Sequence, residues 1–219
     1  MTMEDGRQAQ PNGGTPAGRR AKTRTKSGET RDRIADVARD LFNEYGYLAV
    51  TTNRIARACG ISPGNLYYHF RNREDILWYL FEGVENHVRQ LFLTGGAARG
   101  DGLERLRRQM TEAGAILVEF RFFFPDHVAI IRREERLEEA FRSLQRGVTE
   151  AVAANLAQMT GETAAQSLAL SRALWIVATG WVSFLLVQGE RVDMDSIEGM
   201  VDTVIALVAP RVRPAAARA

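Results

Sequence analysis

The sequence predicts an all-α fold, in which a three-helix N-terminal domain with a helix-turn-helix precedes a larger helical bundle. Apolar residues recur at spacings of three and four along most of the chain, which is the periodicity of amphipathic helices. No segment shows the alternation of apolar and polar residues that marks a strand. Residues 51–70 contain two short helical patterns separated by a glycine, as in a helix-turn-helix.

Charge is distributed unevenly along the 219 residues. Residues 1–75 carry 13 basic and 9 acidic side chains, although the net charge of the chain is only +2. Residues 1–27 lack apolar periodicity and are rich in Gly, Pro, Thr and basic residues, so we expect a disordered basic tail. A positive end suits a polyanionic partner. The tail could lie along DNA, or it could be a solvated leader with no specific role.

The first predicted helix starts at Thr30, a plausible N-cap, and ends at Gly46. Its apolar positions fall on one face and can pack behind the helices that follow. They are Ile34, Val37, Ala38, Leu41, Phe42 and Tyr45.

Capping residues delimit the next two helices. Thr51 or Thr52 can accept a hydrogen bond from a backbone N–H at the start of the first helix. Gly60 stands where a helix ends in the left-handed conformation. Ser62 can cap the second helix, and Pro63 suits its first position because no hydrogen bond is lost there. The first helix buries a small apolar stripe of Ile55, Ala56 and Cys59.

The second helix of the pair, residues 63–70, spans about two turns and is too short to be stable alone. Leu66 and Phe70 lie four residues apart and can fix one face to the helices behind. Base contacts come mainly from the start of such a recognition helix. We therefore predict base contacts from Pro63, Gly64, Asn65 and Tyr68. We predict phosphate contacts from Tyr67, His69 and Arg73. The alternative is that both tyrosines and the histidine are partly buried in a small core.

The stretch TTNRIARACGISPGNLYYHFRNREDIL, residues 51–77, resembles the DNA-binding segment of TetR/AcrR-family transcriptional regulators. The resemblance covers roughly residues 30–80 and is specific because many spaced positions agree. They are Thr-Thr, Ile-Ala, Ala-x-Gly-Ile-Ser, Leu-Tyr-x-His-Phe and a basic residue before Asp-x-Leu. One departure is Cys59, where the family usually has alanine.

The resemblance implies a DNA-binding domain at residues 28–75 and an all-helical ligand-binding and dimerisation domain at residues 76–213. A short C-terminal tail occupies residues 214–219. We also expect DNA contacts from the beginning of the first helix of the pair and from the second cap. These residues are Thr51, Thr52, Asn53, Arg54 and Ser62.

The remaining helices follow from apolar stripes and breaks. A long helix is predicted to start after Asn72, which can cap it, with Asp75 in the positively polarised first turn. It runs to Phe92. In the family that the sequence resembles, this helix links the two domains. Gly95–Gly102 interrupts the pattern. Further helices are predicted over residues 103–124, ending before Pro125, and over 126–133, 137–159, 163–188 and 195–209.

Residues 173–189 are uncharged and strongly apolar but shorter than the roughly 20 residues of a membrane span. We therefore expect no membrane contact and a helix buried on several sides. Paired with residues 195–209, it could form a four-helix interface with a second copy. The alternative is that both helices complete one monomeric core.

A pocket for a small apolar ligand is predicted among the aromatic residues of the bundle. Residues 121–124, Arg-Phe-Phe-Phe, cannot all lie on one helix face, because consecutive residues are about 100° apart. The candidate lining residues are Met110, Leu117, Phe120, Phe124, His127, Phe141, Trp175 and Thr179. The alternative is that these residues are ordinary core.

Catalytic and metal motifs do not fit. Residues 60–64 match G-x-S-x-G of serine hydrolases, but a helix precedes them and no strands exist to present the serine. The histidines lack metal-binding spacings, and no phosphate loop or paired cysteine motif is present. The single cysteine, Cys59, is expected to be a buried small residue. We predict no enzymatic activity, no metal and no cofactor.

These observations predict a cytoplasmic, nucleoid-associated regulator that is dimeric and binds DNA sequence-specifically. We expect a repressor that a small apolar or aromatic effector releases. Its partners would be a near-palindromic double-stranded operator, a second copy of the chain and the effector. The alternative is a helix-turn-helix protein controlled by a protein partner or lacking a small-molecule ligand.

Overall fold

A computed structural model describes residues 26–94 and 102–213, and within them it contains nine α-helices and no strand. The predicted tails up to residue 25 and from residue 214 lie outside the described residues. The helices are α1 Lys26–Tyr45, α2 Thr52–Ala58, α3 Pro63–His69, α4 Arg73–Arg89, α5 Gly102–Glu119, α6 Phe123–Ile131, α7 Glu135–Thr160, α8 Ala164–Gln188 and α9 Met194–Val208. The predicted fold class is confirmed.

Helices α1 to α3 share one apolar core, because the stripes predicted for each helix meet. Its fully buried members include Ile34, Phe42, Ile55, Leu66 and Phe70. A short 3-10 turn, Tyr47–Ala49, joins α1 to α2 and buries Tyr47.

The start of α1 differs from the prediction. The helix begins at Lys26, and the Thr30 hydroxyl donates to the Lys26 carbonyl at 3.0 Å. Thr30 is therefore inside the helix, where a threonine can bond to the carbonyl four residues earlier, and it is not the N-cap. The helix also takes in the last two residues predicted as tail.

Helix α4 extends this apolar core toward the helices that follow it. The Asn72 side chain accepts from the Asp75 N–H at 2.7 Å, which confirms the predicted cap. The helix buries Ile76, Leu77, Leu80 and Phe81 and ends in a π-helical turn, Gln90–Thr94. Gln109 of α5 donates to the Leu91 carbonyl within that turn, so the irregular end is held by α5.

The corner between α5 and α6 also differs from the prediction. Helix α5 ends at Glu119, and α6 starts at Phe123 with Pro125 inside its first turn. Proline is tolerated there because the first N–H groups of a helix have no intrahelical partner. The run of phenylalanines therefore turns a corner between two helices and presents its rings in different directions.

Long helices build the rest of the bundle. Helix α8 packs along α7, and α9 packs along α5 so closely that a methyl group on Gly114 would overlap Ile197. Thr163 and Gln166 form a capping box at the start of α8, and left-handed Gly161 and Gly189 end α7 and α8. The bounds of α8 and α9 agree with the predicted helices to within one residue.

Candidate nucleic-acid interface and internal cavity

The turn between α2 and α3 is fixed by short-range hydrogen bonds. Thr51 Oγ1 accepts from the Arg54 N–H at 3.3 Å, and Ser62 Oγ accepts from the Asn65 N–H at 3.2 Å. Gly60 has φ of +65°, the left-handed conformation that ends α2. Thr51 is thus the cap of α2, and the predicted roles of Gly60 and Ser62 are confirmed.

Helix α3 has one buried side and one open side. Leu66 is fully buried, as is Phe70 immediately after the helix. Tyr68 is 78% exposed and Tyr67 48% exposed. Pro63, Gly64 and Asn65 are exposed and His69 is half-buried. The alternative of partial burial therefore fails for Tyr68 but holds for His69, and the open side of α3 is available to a partner. That these residues contact DNA stays a prediction.

The start of α2 lies beside this open side. The Thr52 hydroxyl is 3.1 Å from the Tyr67 hydroxyl, which ties α2 to α3. Thr51, Asn53 and Arg54 are exposed. The Arg54 guanidinium stacks over the Tyr45 ring, with its carbon 3.5 Å from the ring centroid. Tyr45 thus holds a cation at the surface, a role that the sequence did not indicate.

The Arg73 side chain, predicted to contact a phosphate, points into the protein. Its Nη1 donates to the carbonyls of Tyr47, Leu48 and Val50 at 3.1 to 3.2 Å, and its Nη2 donates to Glu74. The side chain is 19% exposed. These groups hold the guanidinium against the loop between α1 and α2.

Cys59 is buried, and burial raises the pKa of its thiol despite the nearby Arg33. A thiol with a raised pKa is a poor nucleophile. This agrees with the predicted role of a small core residue. Among the described residues, no group of three or more His, Cys, Asp or Glu side chains could hold a metal ion.

An internal cavity of about 130 Å³ lies in the bundle between α4, α5, the α5–α6 corner, α7 and α8. Seven of the eight predicted residues line it: Met110, Leu117, Phe120, Phe124, Phe141, Trp175 and Thr179. The eighth, His127, does not. Its Nδ1 lies 2.7 Å from the Phe124 carbonyl oxygen one turn earlier in α6, which holds the ring outside the cavity wall.

The cavity wall offers almost no free polarity. The hydroxyls of Thr149, Ser171 and Thr179 all line it and all donate to main-chain carbonyls of α7 or α8 at 2.8 to 3.0 Å. Among the residues that the structure describes, no charged side chain lines the wall. The cavity can therefore accept apolar surface but cannot neutralise an ion.

Several wall residues were not predicted, and they come mainly from α4 and α7. From α4 and its π-helical end they include Leu77, Leu80, Phe81, Val84, Val88 and Phe92, and from α7 Leu144, Val148 and Val152. The sequence places most of them on apolar stripes, but a stripe does not say whether it faces another helix or a space between helices. Because α4 follows α3 in the chain, part of the cavity wall lies on the helix that comes next after α3.

Helix α1 is tied to the α5–α6 corner by the Asn43 side chain and by an ion pair in which Arg39 Nη1 lies 2.7 Å from Glu119 Oε1. Asn43 Nδ2 donates to the Glu119 carbonyl at 2.8 Å, and the Phe122 N–H donates to Asn43 Oδ1 at 3.1 Å. The Phe122 ring lines the cavity and also lies 5.2 Å from the Phe42 ring centroid. The cavity wall is therefore bonded directly to the core behind α2 and α3.

The outer face of α8 is apolar and uncovered. Ile176 is 68% exposed and Val187 85% exposed, and Phe184 and Leu186 are also exposed. Among the described residues, α8 is the helix with the length and composition of a possible membrane span. Only 22% of its most apolar window is buried within the chain. The alternative of a purely monomeric core therefore does not describe α8. Helix α9, in contrast, packs its predicted apolar face against its own chain, as a monomeric core requires. The buried residues are Ile197, Met200, Val201, Val204 and Val208.

Comparison with known proteins gives two family matches. Residues 34–80 match a family described as bacterial regulatory proteins, tetR family, and residues 85–219 match one described as bacterial transcriptional repressor. The HTH-type transcriptional regulator AcrR of Shigella flexneri is 30% identical over 128 residues. That match covers 52% of this chain and 60% of the relative, so the chain spans less than two thirds of its length.

Solved structures agree over most of the chain. A TetR-family transcriptional regulator from Marinobacter aquaeolei VT8 has a TM-score of 0.76 and 30% identity, covering 84% of this chain and 92% of that one. A SmeT–triclosan complex has a TM-score of 0.61 and 22% identity, covering 85% and 93%. The second likeness shows the fold alone.

Proposed function

The chain belongs to the TetR family of bacterial transcriptional regulators, and we propose that it is a dimeric, sequence-specific repressor that a small apolar or aromatic effector releases from its operator. As a regulator of this family it is not an enzyme. The observation that best supports DNA binding is the open side of α3, where polar and aromatic groups project from a helix fixed by Leu66 and Phe70. Such a regulator acts in the cytoplasm.

The DNA contacts divide by position on the two helices. Pro63, Gly64 and Asn65 open α3 and read base edges, and Tyr68 contacts a thymine methyl. Phosphate and sugar contacts surround them and set the register of the protein on the duplex. They come from Thr51, Thr52, Asn53, Arg54, Ser62, Tyr67 and His69. Arg73 is not among them, because its guanidinium is engaged inside the protein.

A second copy of the chain covers the exposed face of α8. That face presents Ile176, Phe184, Leu186 and Val187, with Leu207 of α9 also exposed. Exposed apolar faces of this kind mark association sites in soluble proteins. A twofold interface would place two recognition helices about 34–36 Å apart, or a multiple of one DNA turn, and would require a near-palindromic operator.

The effector occupies the internal cavity. Because no charged side chain lines the wall and its hydroxyls are bonded to helix carbonyls, a neutral apolar or aromatic molecule fits better than an ion. The triclosan complex of SmeT, a protein of the same fold, supports this class of ligand. A protein partner in place of an effector remains the alternative.

Two connections carry the effect of the ligand to DNA. Helix α4 forms one wall of the cavity and begins directly after α3. Asn43 and Phe122 join the cavity wall to α1, which backs the recognition helix. A ligand that shifts either contact weakens operator binding, and the operator must weaken ligand binding by the same factor.

Selection of bound sequences from a random duplex pool tests the DNA-binding proposal. We expect a near-palindromic site, bound at least tenfold more weakly after Asn65→Ala or Tyr68→Ala, since one good base contact contributes about 1–3 kcal/mol. Gln158→Ala, an exposed substitution in α7, is the matched control and should bind normally. An enriched site without symmetry would contradict the dimeric mode, and the lack of any enriched site would refute sequence-specific binding.

A panel of neutral aromatic compounds that includes triclosan tests the effector proposal. We expect at least one compound to raise the unfolding temperature of the protein and to release the selected operator. If no compound stabilises the protein, control by a protein partner becomes the better account.

A further inference from the structure

We propose that Arg73 is a positioning residue that sets the start of α2 for DNA contact and does not itself contact phosphate. This inference rests on the proposed DNA-binding function. It assigns a role to a basic residue at the boundary between α3 and α4, where a surface cation would ordinarily be assumed to face the DNA backbone.

The guanidinium closes the loop between α1 and α2. Nη1 lies 3.1 Å from the carbonyl oxygen of Tyr47 and 3.2 Å from those of Leu48 and Val50. Its carbon lies 4.3 Å from the centroid of the Tyr47 ring. One side chain from α4 therefore gathers three carbonyls from a four-residue segment 23 to 26 positions earlier in the chain.

That segment leads directly into α2. Val50 is fully buried and precedes Thr51, whose hydroxyl caps α2 by accepting from the Arg54 N–H. Fixing the Val50 carbonyl thus fixes the backbone from which Thr51, Asn53 and Arg54 project. The residues proposed to contact phosphate at the start of α2 depend on Arg73 for their position.

The electrostatics favour this inward position. A cation in the first turn of a helix opposes the helix dipole, so α4 itself gives no reason for an arginine here. Glu74 balances the charge at 3.2 Å, and burial raises the pKa of the neighbouring Tyr47 to about 12, which keeps its phenol neutral. Moving the guanidinium to a phosphate would break its bonds to all three carbonyls.

Arginine suits this position better than lysine does. A planar guanidinium can lie on the Tyr47 ring while its two terminal nitrogens bond in different directions. A lysine ammonium is one bond shorter in reach and cannot do both. A phosphate contact, in contrast, tolerates lysine because an ammonium also binds phosphate.

Salt dependence of operator binding separates the two roles. The slope of log K against log salt becomes shallower by about 0.9 for each phosphate that the protein no longer neutralises, or by about 1.8 for a dimer. We expect Arg73→Met to weaken binding on the order of tenfold with the wild-type slope. Arg54→Met should give a shallower slope as the positive control. Arg142→Met, which removes an arginine paired with Glu138 on α7, should change neither quantity.

Two further variants keep the test decisive if Arg73→Met folds poorly. Arg73→Lys should also bind more weakly with an unchanged slope, whereas near-normal binding would indicate a phosphate contact. The double variant Thr51→Ala with Arg73→Lys should bind about as weakly as the weaker single variant, because both act through the start of α2.

A shallower slope for the Arg73 variants, additive effects with Thr51→Ala, or unchanged affinity for Arg73→Met would overturn the proposal. These outcomes differ from a failure of the proposed function. In that case the wild-type protein itself would show no site-selective binding.

Discussion

The helix pair α2–α3 and the internal cavity are built by interactions of very different sequence range. Each cap of the helix pair joins residues three apart, Thr51 to Arg54 and Ser62 to Asn65. The cavity takes its walls from α4, α5, α7 and α8, so residues as distant as Leu77 and Thr179 share it. The proposed recognition surface is therefore encoded locally, whereas the cavity exists only where several helices leave space between them.

The largest expected effect concerns stability, and it distinguishes a buried residue that holds α3 in place from an exposed residue on its open side. Leu66→Ala removes a fully buried side chain of α3 and should lower the free energy of unfolding by about 2–5 kcal/mol. Tyr68→Ala, at a 78% exposed position, should change it by no more than about 0.5 kcal/mol. Urea denaturation measures both. Equal destabilisation would mean that α3 does not divide into a buried and an open side.

The second prediction concerns the cavity. Ala178→Phe places a ring in the space that Ala178 lines and should lower effector affinity on the order of tenfold or more, while operator binding without effector persists. Ala154→Phe, at an exposed position of α7, is the matched control. Titration calorimetry with a stabilising compound measures the affinity. Unchanged affinity in Ala178→Phe would place the ligand elsewhere.

The third prediction tests the bond between the two regions. Asn43→Leu removes both hydrogen bonds to the α5–α6 corner and should cost about 1–3 kcal/mol of stability. We expect operator binding to persist while the effector releases less DNA, because the Asn43 hydrogen bonds between α1 and the cavity wall are lost. Operator affinity with and without a stabilising compound measures this coupling. Full release in the variant would show that the Asn43 hydrogen bonds do not carry the signal.

The smallest effect compares two helix caps. Ser62→Ala and Thr163→Ala each remove one capping side chain and should each cost about 1 kcal/mol in thermal unfolding. Only Ser62→Ala should also weaken operator binding, since Thr163 begins α8 in the bundle. A loss of operator binding in Thr163→Ala would contradict the separation of the two regions.

The sequence predicted the helix pair well because its determinants are local. Caps, a left-handed glycine and a proline at the first helical position act within one turn, and the i, i+4 pair Leu66 and Phe70 decides which side of α3 is open. Part of the cavity wall was predicted, because the aromatic residues on the apolar helix faces concentrate in the bundle. The α4 wall was missed because a stripe that packs and a stripe that borders a space have the same spacing.

What the sequence determined by itself is the all-helical fold, the limits of most helices and the open side of α3. Tertiary structure decided which groups Arg73 and Asn43 bond to and which face of α8 is exposed. Arg73 bonds to carbonyls more than 20 residues away and Asn43 to a corner more than 70 residues away. The physical reason is that a polar side chain takes the nearest unsatisfied partner in space, and its own sequence neighbours do not specify which groups the fold will bring there.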